Sequence, residues 1–95
     1  MLEGVVAGRT KNALLLKVGG IGYRVFTTGA TREASKDGSS LSLHTHLAVR
    51  EDDLSLYGFP AQEELDLFEL LISISGIGPR SALGVLELAD VSTIA

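Results

Sequence analysis

Residues able to do chemistry concentrate in two short segments of this 95-residue chain. The first is Gly76-Ile77-Gly78-Pro79-Arg80, followed by Ser81 and Ala82. Paired glycines supply backbone angles that other residues avoid. Pro79 suits the first turn of a helix, where a missing N–H costs nothing. An apolar run at helical spacing leads in (Leu65, Phe68, Leu71, Ile72), and a second leads out (Ala82, Leu83, Val85, Leu86). The pattern predicts two helices joined by a tight turn, with the free N–H groups of the outgoing helix facing outward. Such a terminus attracts phosphate, and Arg80 would add a full positive charge beside it. This is the pattern of a helix–hairpin–helix, which grips a DNA backbone without reading bases. The plainer alternative is an ordinary two-helix turn, since short glycine motifs recur by chance.

The second segment is Arg50-Glu51-Asp52-Asp53. Three consecutive acids between two strands are expected at a turn tip, in water. They are either a solvated loop or an acidic projection that repels phosphate, since like charges 4 Å apart cost about 1 kcal/mol even in water. Such a projection could hold strands apart only if another element binds them. His44 and His46 lie two apart on one strand face, a spacing that can present two imidazoles to a metal. Zinc sites want three or four protein ligands, and no cysteine or third histidine exists. No metal or cofactor is therefore expected. Gly19-Gly20-Ile21-Gly22 is read as a strand–strand turn, because no helix opening with Lys-Ser/Thr follows it. No serine, histidine and acid stand in a nucleophile context, so the chain is expected to have no catalytic site of its own. Five aromatic residues are too few for a base-stacking platform once most of them enter a core.

Charge qualifies the DNA reading. The chain carries a net charge of -4. Residues 1–50 hold seven basic groups against three acids, whereas residues 51–95 hold Arg80 against nine acids. A polyanion fits only if the basic half is presented to it. With no cysteine, disulfides are excluded. No signal-like start and no apolar stretch of about 20 residues is visible, which predicts a soluble, intracellular protein.

The elements that must position these segments follow from periodicity. Leu2–Gly8, Ala13–Val18 and Gly22–Thr27 are expected strands, with turns at Asn12 and Gly19-Gly20. A fourth strand places Leu41, Leu43, Thr45, Leu47 and Val49 on one face and His44 and His46 on the other. A fifth covers Leu54–Tyr57, and the polar link Thr28–Ser40 holds one helical turn at Thr31–Ser35. Five short strands with one long connection suit an OB-fold barrel; a two-sheet sandwich is the alternative. The fold class is thus α+β, a barrel over residues 1–60 followed by a small helical region over 61–95. A helix opens at Gln62-Glu63-Glu64, and the outgoing helix is expected to end near Leu88. A further helix capped by Asp90 or Ser92 would stop within its first turn at Ala95, which predicts a fragment of a longer chain.

Several segments together resemble one family. Val18-Gly19-Gly20-Ile21-Gly22-Tyr23 with Val25, then Thr45-His46 leading to Val49-Arg50-Glu51-Asp52, then Leu56-Tyr57-Gly58-Phe59 and Gly76-Ile77-Gly78-Pro79-Arg80 are similar to RuvA, the Holliday junction-binding subunit family of the bacterial RuvAB branch-migration complex. The resemblance implies an OB-fold, a middle domain with two helix–hairpin–helix motifs, and a C-terminal domain that touches the RuvB motor. It implies a cytoplasmic homotetramer that holds a four-way DNA junction open and square-planar during recombination and repair, and it admits the RuvC resolvase as a further partner. Glu51 and Asp52 match the acidic pin at the junction centre. Arg50, Gly76, Ile77, Gly78, Pro79 and Arg80 match the DNA-binding set, with the hairpin holding phosphates across the minor groove. Such contacts position DNA without reading sequence. The second hairpin and the C-terminal domain have no counterpart in these 95 residues, and Asp53 adds an acid to the pair. The competing reading is an OB-like protein–protein interaction or oligomerisation module, which the acidic second half favours. An accessory domain of a nuclease or ligase lacks any active-site residues here.

Overall fold

The computed structural model describes residues 1–50, 53–74 and 76–94, with backbone only for Arg50, Asp53, Leu54 and residues 89–94. Its strands are β1 (Leu2–Arg9), β2 (Ala13–Val18), β3 (Ile21–Phe26), β4 (Ser40–Arg50) and β5 (Asp53–Phe59). They close into a barrel in the order β1-β2-β3-β5-β4. β1 pairs with both β2 and β4, which seals the sheet and removes the sandwich alternative. All neighbours are antiparallel except β3 and β5. This is the five-stranded OB-fold.

The helices are α1 (Gly29–Ala34), α2 (Gln62–Ile74) and α3 (Pro79–Ile94). α1 starts two residues before the expected turn because Thr28 caps it, its hydroxyl accepting from the Thr31 N–H at 3.4 Å. The expectation that the outgoing helix ends near Leu88, with a new one capped by Asp90 or Ser92, is overturned: α3 runs unbroken to Ile94. No glycine or proline follows Gly84, so each added residue gains a hydrogen bond without a new nucleation cost.

Two apolar cores share the barrel wall. Val6, Leu14, Leu16, Val25 and Leu43 fill its inside, each at most 1% exposed. On its outside, Ala13, Phe26, Tyr57 and Phe59 pack against Leu65 and Phe68 of α2 and Ala82, Leu83 and Leu86 of α3. The run Ala13-Leu14-Leu15-Leu16 lacks polar alternation because β2 is covered on both faces, by barrel and by helix. Phe68 is the hub of the outer core. Its ring centroid lies 5.2 Å from that of Tyr57 and 5.1 Å from that of Phe59.

β4 departs from its expected pattern. Its apolar face is buried at Leu43, yet Leu47 and Val49 on that same face are 53% and 68% exposed. The topology explains this. β1 pairs with β4 only over Ser40–Leu43, and β3 meets β5 only at Leu56 and Tyr57. Beyond those rungs β4 and β5 continue as a two-stranded ribbon, closed by the pair Arg50 and Asp53, with no barrel interior beneath Leu47 and Val49.

Candidate nucleic-acid interface

The segment Gly76–Arg80 joins α2 to α3, as its spacing predicts. Gly76 has φ of 65°, in the left-handed region that favours glycine. Ile77 is half-buried and anchors the turn in the outer core. Gly78 uses its carbonyl, which accepts the Ala82 N–H at 3.1 Å, and so stands at the N-cap of α3. Pro79 takes the first helical position. The N–H groups of Arg80 and Ser81 then precede the first intrahelical bond and have no partner within the helix. Gly76, Gly78, Arg80 and Ser81 are exposed.

α2 determines which way this turn faces. It starts three residues after β5 ends and doubles back along the barrel. Phe68 meets Tyr57 and Phe59, and Glu69 Oε2 lies 2.9 Å from His46 Nδ1. The His46 ring stands edge-on to Phe68 at 5.5 Å. Of the two histidines weighed as metal ligands, His46 is thus engaged with α2. Among the described residues no group of three His, Cys, Asp or Glu side chains gathers as a metal would need.

Arg80 is not simply a charge beside bare amides. Its guanidinium carbon lies 4.7 Å from the centroid of Phe26, which is 7% exposed at the end of β3. The stack draws the start of α3 onto the barrel while leaving the cation in water. Further along, Glu87 clasps α3 to α1. One carboxylate oxygen accepts the Gly29 N–H at 2.9 Å and lies 3.6 Å from Arg32 Nη1. A cavity of about 160 Å³ lies between barrel and helix, walled by Phe26, Tyr57, Arg32, Arg80 and Glu87. Glu87 carried no sequence signal, because its partners lie 55 and 58 residues away.

The acids are only partly placed. Arg50 pairs with Asp53 in the β4–β5 ladder, so Asp53 opens a strand and does not belong to the loop, a correction to the expected run of three turn acids. Strand pairing claims Asp53 because Arg50 opposes it directly. Glu51 and Asp52, where the acidic pin is expected, lie outside the described residues, as does the Arg50 side chain.

Ion pairing sorts the basic groups of the barrel. Arg9 pairs with Asp37 at 3.1 Å, and Arg32 with Glu87. Lys17 and Arg24 are exposed and form no ion pair among the described residues. Arg24 lies 5.6 Å from Phe26 on the side of the sheet that the helices cover. The sequence marked these two only as part of a basic half.

Residues 1–58 match the family described as RuvA N terminal domain. Relatives named Holliday junction branch migration complex subunit RuvA include that of Alkaliphilus oremlandii, 48% identical over 86 residues, which are 90% of this chain and 44% of the relative. The Clostridium beijerinckii protein of the same name is 39% identical over 94 residues, 98% of this chain and 48% of that one. The one from Thermus thermophilus is 42% identical over 86 residues, 90% and 45% of the two chains. The chain spans about half the length of the curated relatives it matches. With its closed barrel and with more than half of its residues matched by the N-terminal domain, this chain belongs to the RuvA family.

Proposed function

We propose that this chain binds four-way junction DNA as the barrel-and-first-hairpin part of a branch-migration subunit, with the barrel at 1–60 and the hairpin region at 61–95. The observation that carries the reading is the exposed start of α3, Gly76–Arg80, anchored by Ile77 and by the Arg80–Phe26 stack. Phosphate oxygens would accept from the Arg80 and Ser81 amides with the helix dipole behind them. Arg80 and Arg50 would add charge. None of these groups reads a base edge, so binding would be independent of sequence, as a subunit that lets DNA slide requires.

Glu51 and Asp52 act in the opposite sense in this reading, repelling phosphates at the crossover. The placement of their flanking rung supports this. α2 returns the hairpin toward the ribbon, and Tyr57, beneath Phe68 and beside Phe26, stands four residues, about 13 Å, along β5 from Asp53. A gripping turn and an acid-bearing ribbon at one end of the barrel would form a push–pull surface. The subunit contributes no catalytic group; strand movement would be driven by the RuvB motor through a domain beyond these residues, and RuvC would act on the same complex. Assembly into a homotetramer is supported by Leu47 and Val49 on the ribbon and Leu70 and Ile74 on α2, 50–72% exposed, since exposed apolar patches mark association surfaces. One hairpin binds weakly, and several on one tetramer would supply affinity. Among the described residues no helix is long and apolar enough to cross a membrane, and the proposed site of action is the bacterial cytoplasm.

A gel-shift comparison of a four-way junction with a linear duplex of equal length, on the complete protein, tests this reading. Preference for the junction is expected; equal affinity defeats it. A protein-interaction module would instead show affinity that hardly responds to salt.

A further inference from the structure

We infer that Lys17 and Arg24 form a second phosphate-binding strip, on the outer wall of the barrel, which carries one DNA strand from the hairpin toward the acid-bearing ribbon. The inference rests on the DNA-binding reading above. Three observations on this chain support it.

The first is placement. In the β2–β3 ladder Ala13 opposes Phe26, Leu15 opposes Arg24 and Lys17 opposes Gly22. Ala13 and Phe26 belong to the outer core under α3, so Arg24 and Lys17, at alternate positions, stand on the same side of the sheet just beyond the helices. The second is direction. β3 and β5 run parallel with Val25 beside Leu56. Arg24 is thus one residue from the rung at which β3 meets β5, and Lys17, opposite Gly22, lies two residues further along β3, in the direction in which β5 runs back to Asp53. The strip therefore starts at the hairpin's Arg80 and runs in the direction of the ribbon.

The third is charge and spacing. Arg24 and Arg80 both lie against the Phe26 ring, at 5.6 and 4.7 Å. Their guanidinium carbons are therefore at most about 10 Å apart, the axial rise of about three phosphates along one DNA strand. Of the other barrel cations, Arg9 is paired with Asp37 and Arg32 with Glu87, while Lys11 and Lys36 stand in the links between strands and not on the β2–β3 face that carries Lys17 and Arg24. Lys17, Arg24 and Arg80 form no ion pair among the described residues, and all three are exposed. An aromatic ring that holds two guanidinium groups in place reduces the ordering lost when phosphate binds. The strip also places positive charge on the barrel, where a net-acidic chain needs it to meet a polyanion.

The test compares salt dependence of junction binding for the complete protein, a Lys17→Ala/Arg24→Ala double variant, an Arg24→Lys variant and a Gly78→Val hairpin variant. Loss of two phosphate contacts on each subunit should lower the slope of log affinity against log salt by about two units per subunit that engages the junction, about eight for the proposed tetramer, and weaken binding at least on the order of tenfold at low salt, alike for all sequences. Arg24→Lys should keep the parent slope. Both positions are exposed, so circular dichroism melting of the double variant should match the parent. An unchanged slope with weakened Gly78→Val binding overturns the strip and leaves the hairpin reading standing. Absence of junction binding by the parent itself overturns both.

Discussion

Gly58 and Gly76 are both glycines for reasons the structure separates, and exchanging each for alanine tests whether the separation is right. Gly76 has a left-handed φ of 65°, but a Cβ placed there meets nothing within 4 Å. Its alanine variant suffers only the backbone penalty, about 1–2 kcal/mol. The unfolded chain loses freedom too, which returns about 0.4–1 kcal/mol. The net loss should be about 1 kcal/mol, or roughly 4–8 °C in melting temperature for a domain of this size. Gly58 is the converse. A Cβ there would lie 2.7 Å from Val25 Cγ1 and 3.1 Å from Leu43 Cδ1, inside a barrel whose lining is fully buried. Overpacking of this kind costs about 1–3 kcal/mol. Asparagine discriminates the causes, because it tolerates the left-handed region but is larger than alanine. Equilibrium urea unfolding at 25 °C should find Gly76→Asn more stable than Gly76→Ala, and Gly58→Asn less stable than Gly58→Ala. If asparagine is no better than alanine at position 76, or if Gly58→Ala is neutral, the assignment of conformational cost to one glycine and steric cost to the other is wrong.

Other perturbations probe the helical part and the site. Phe68→Ala removes a fully buried ring in contact with Tyr57, Phe59 and His46, and should cost about 3–5 kcal/mol in the same unfolding assay. Glu87→Ala removes the acceptor of the Gly29 N–H and the half-exposed pair with Arg32; a loss of about 1–2 kcal/mol is expected, with faster amide exchange at Gly29, whereas unchanged exchange there would show that the clasp is not closed in solution. Glu51→Gln combined with Asp52→Asn should tighten junction binding in a gel shift while impairing strand separation, and weaker binding would assign these acids another task.

How much of this was legible beforehand depended on the range of the interaction concerned. Strand and helix periods, the glycine–proline bend and the acids after Arg50 are local features, set by backbone angles, alternation and side-chain type within a few residues. They sufficed for the OB-fold reading and for the hairpin. Where local pattern misjudged an element, its partners in the sheet were responsible: Asp53 pairs with Arg50 in the ladder, and the early departure of β1 and β3 left Leu47 and Val49 uncovered. α3 is the exception, an overly cautious stop where nothing broke the helix. By itself, then, the sequence determined the barrel, the bend and the residues that could meet phosphate, because each is encoded by short-range geometry. Only the tertiary structure decided which cations remain available for it. Arg9 and Arg32 are neutralised by Asp37 and Glu87 from other elements, while Phe26 gathers Arg24 and Arg80 from β3 and α3 onto one surface. Ion pairing and ring stacking act across a few ångströms of space, and separation along the chain does not reveal them.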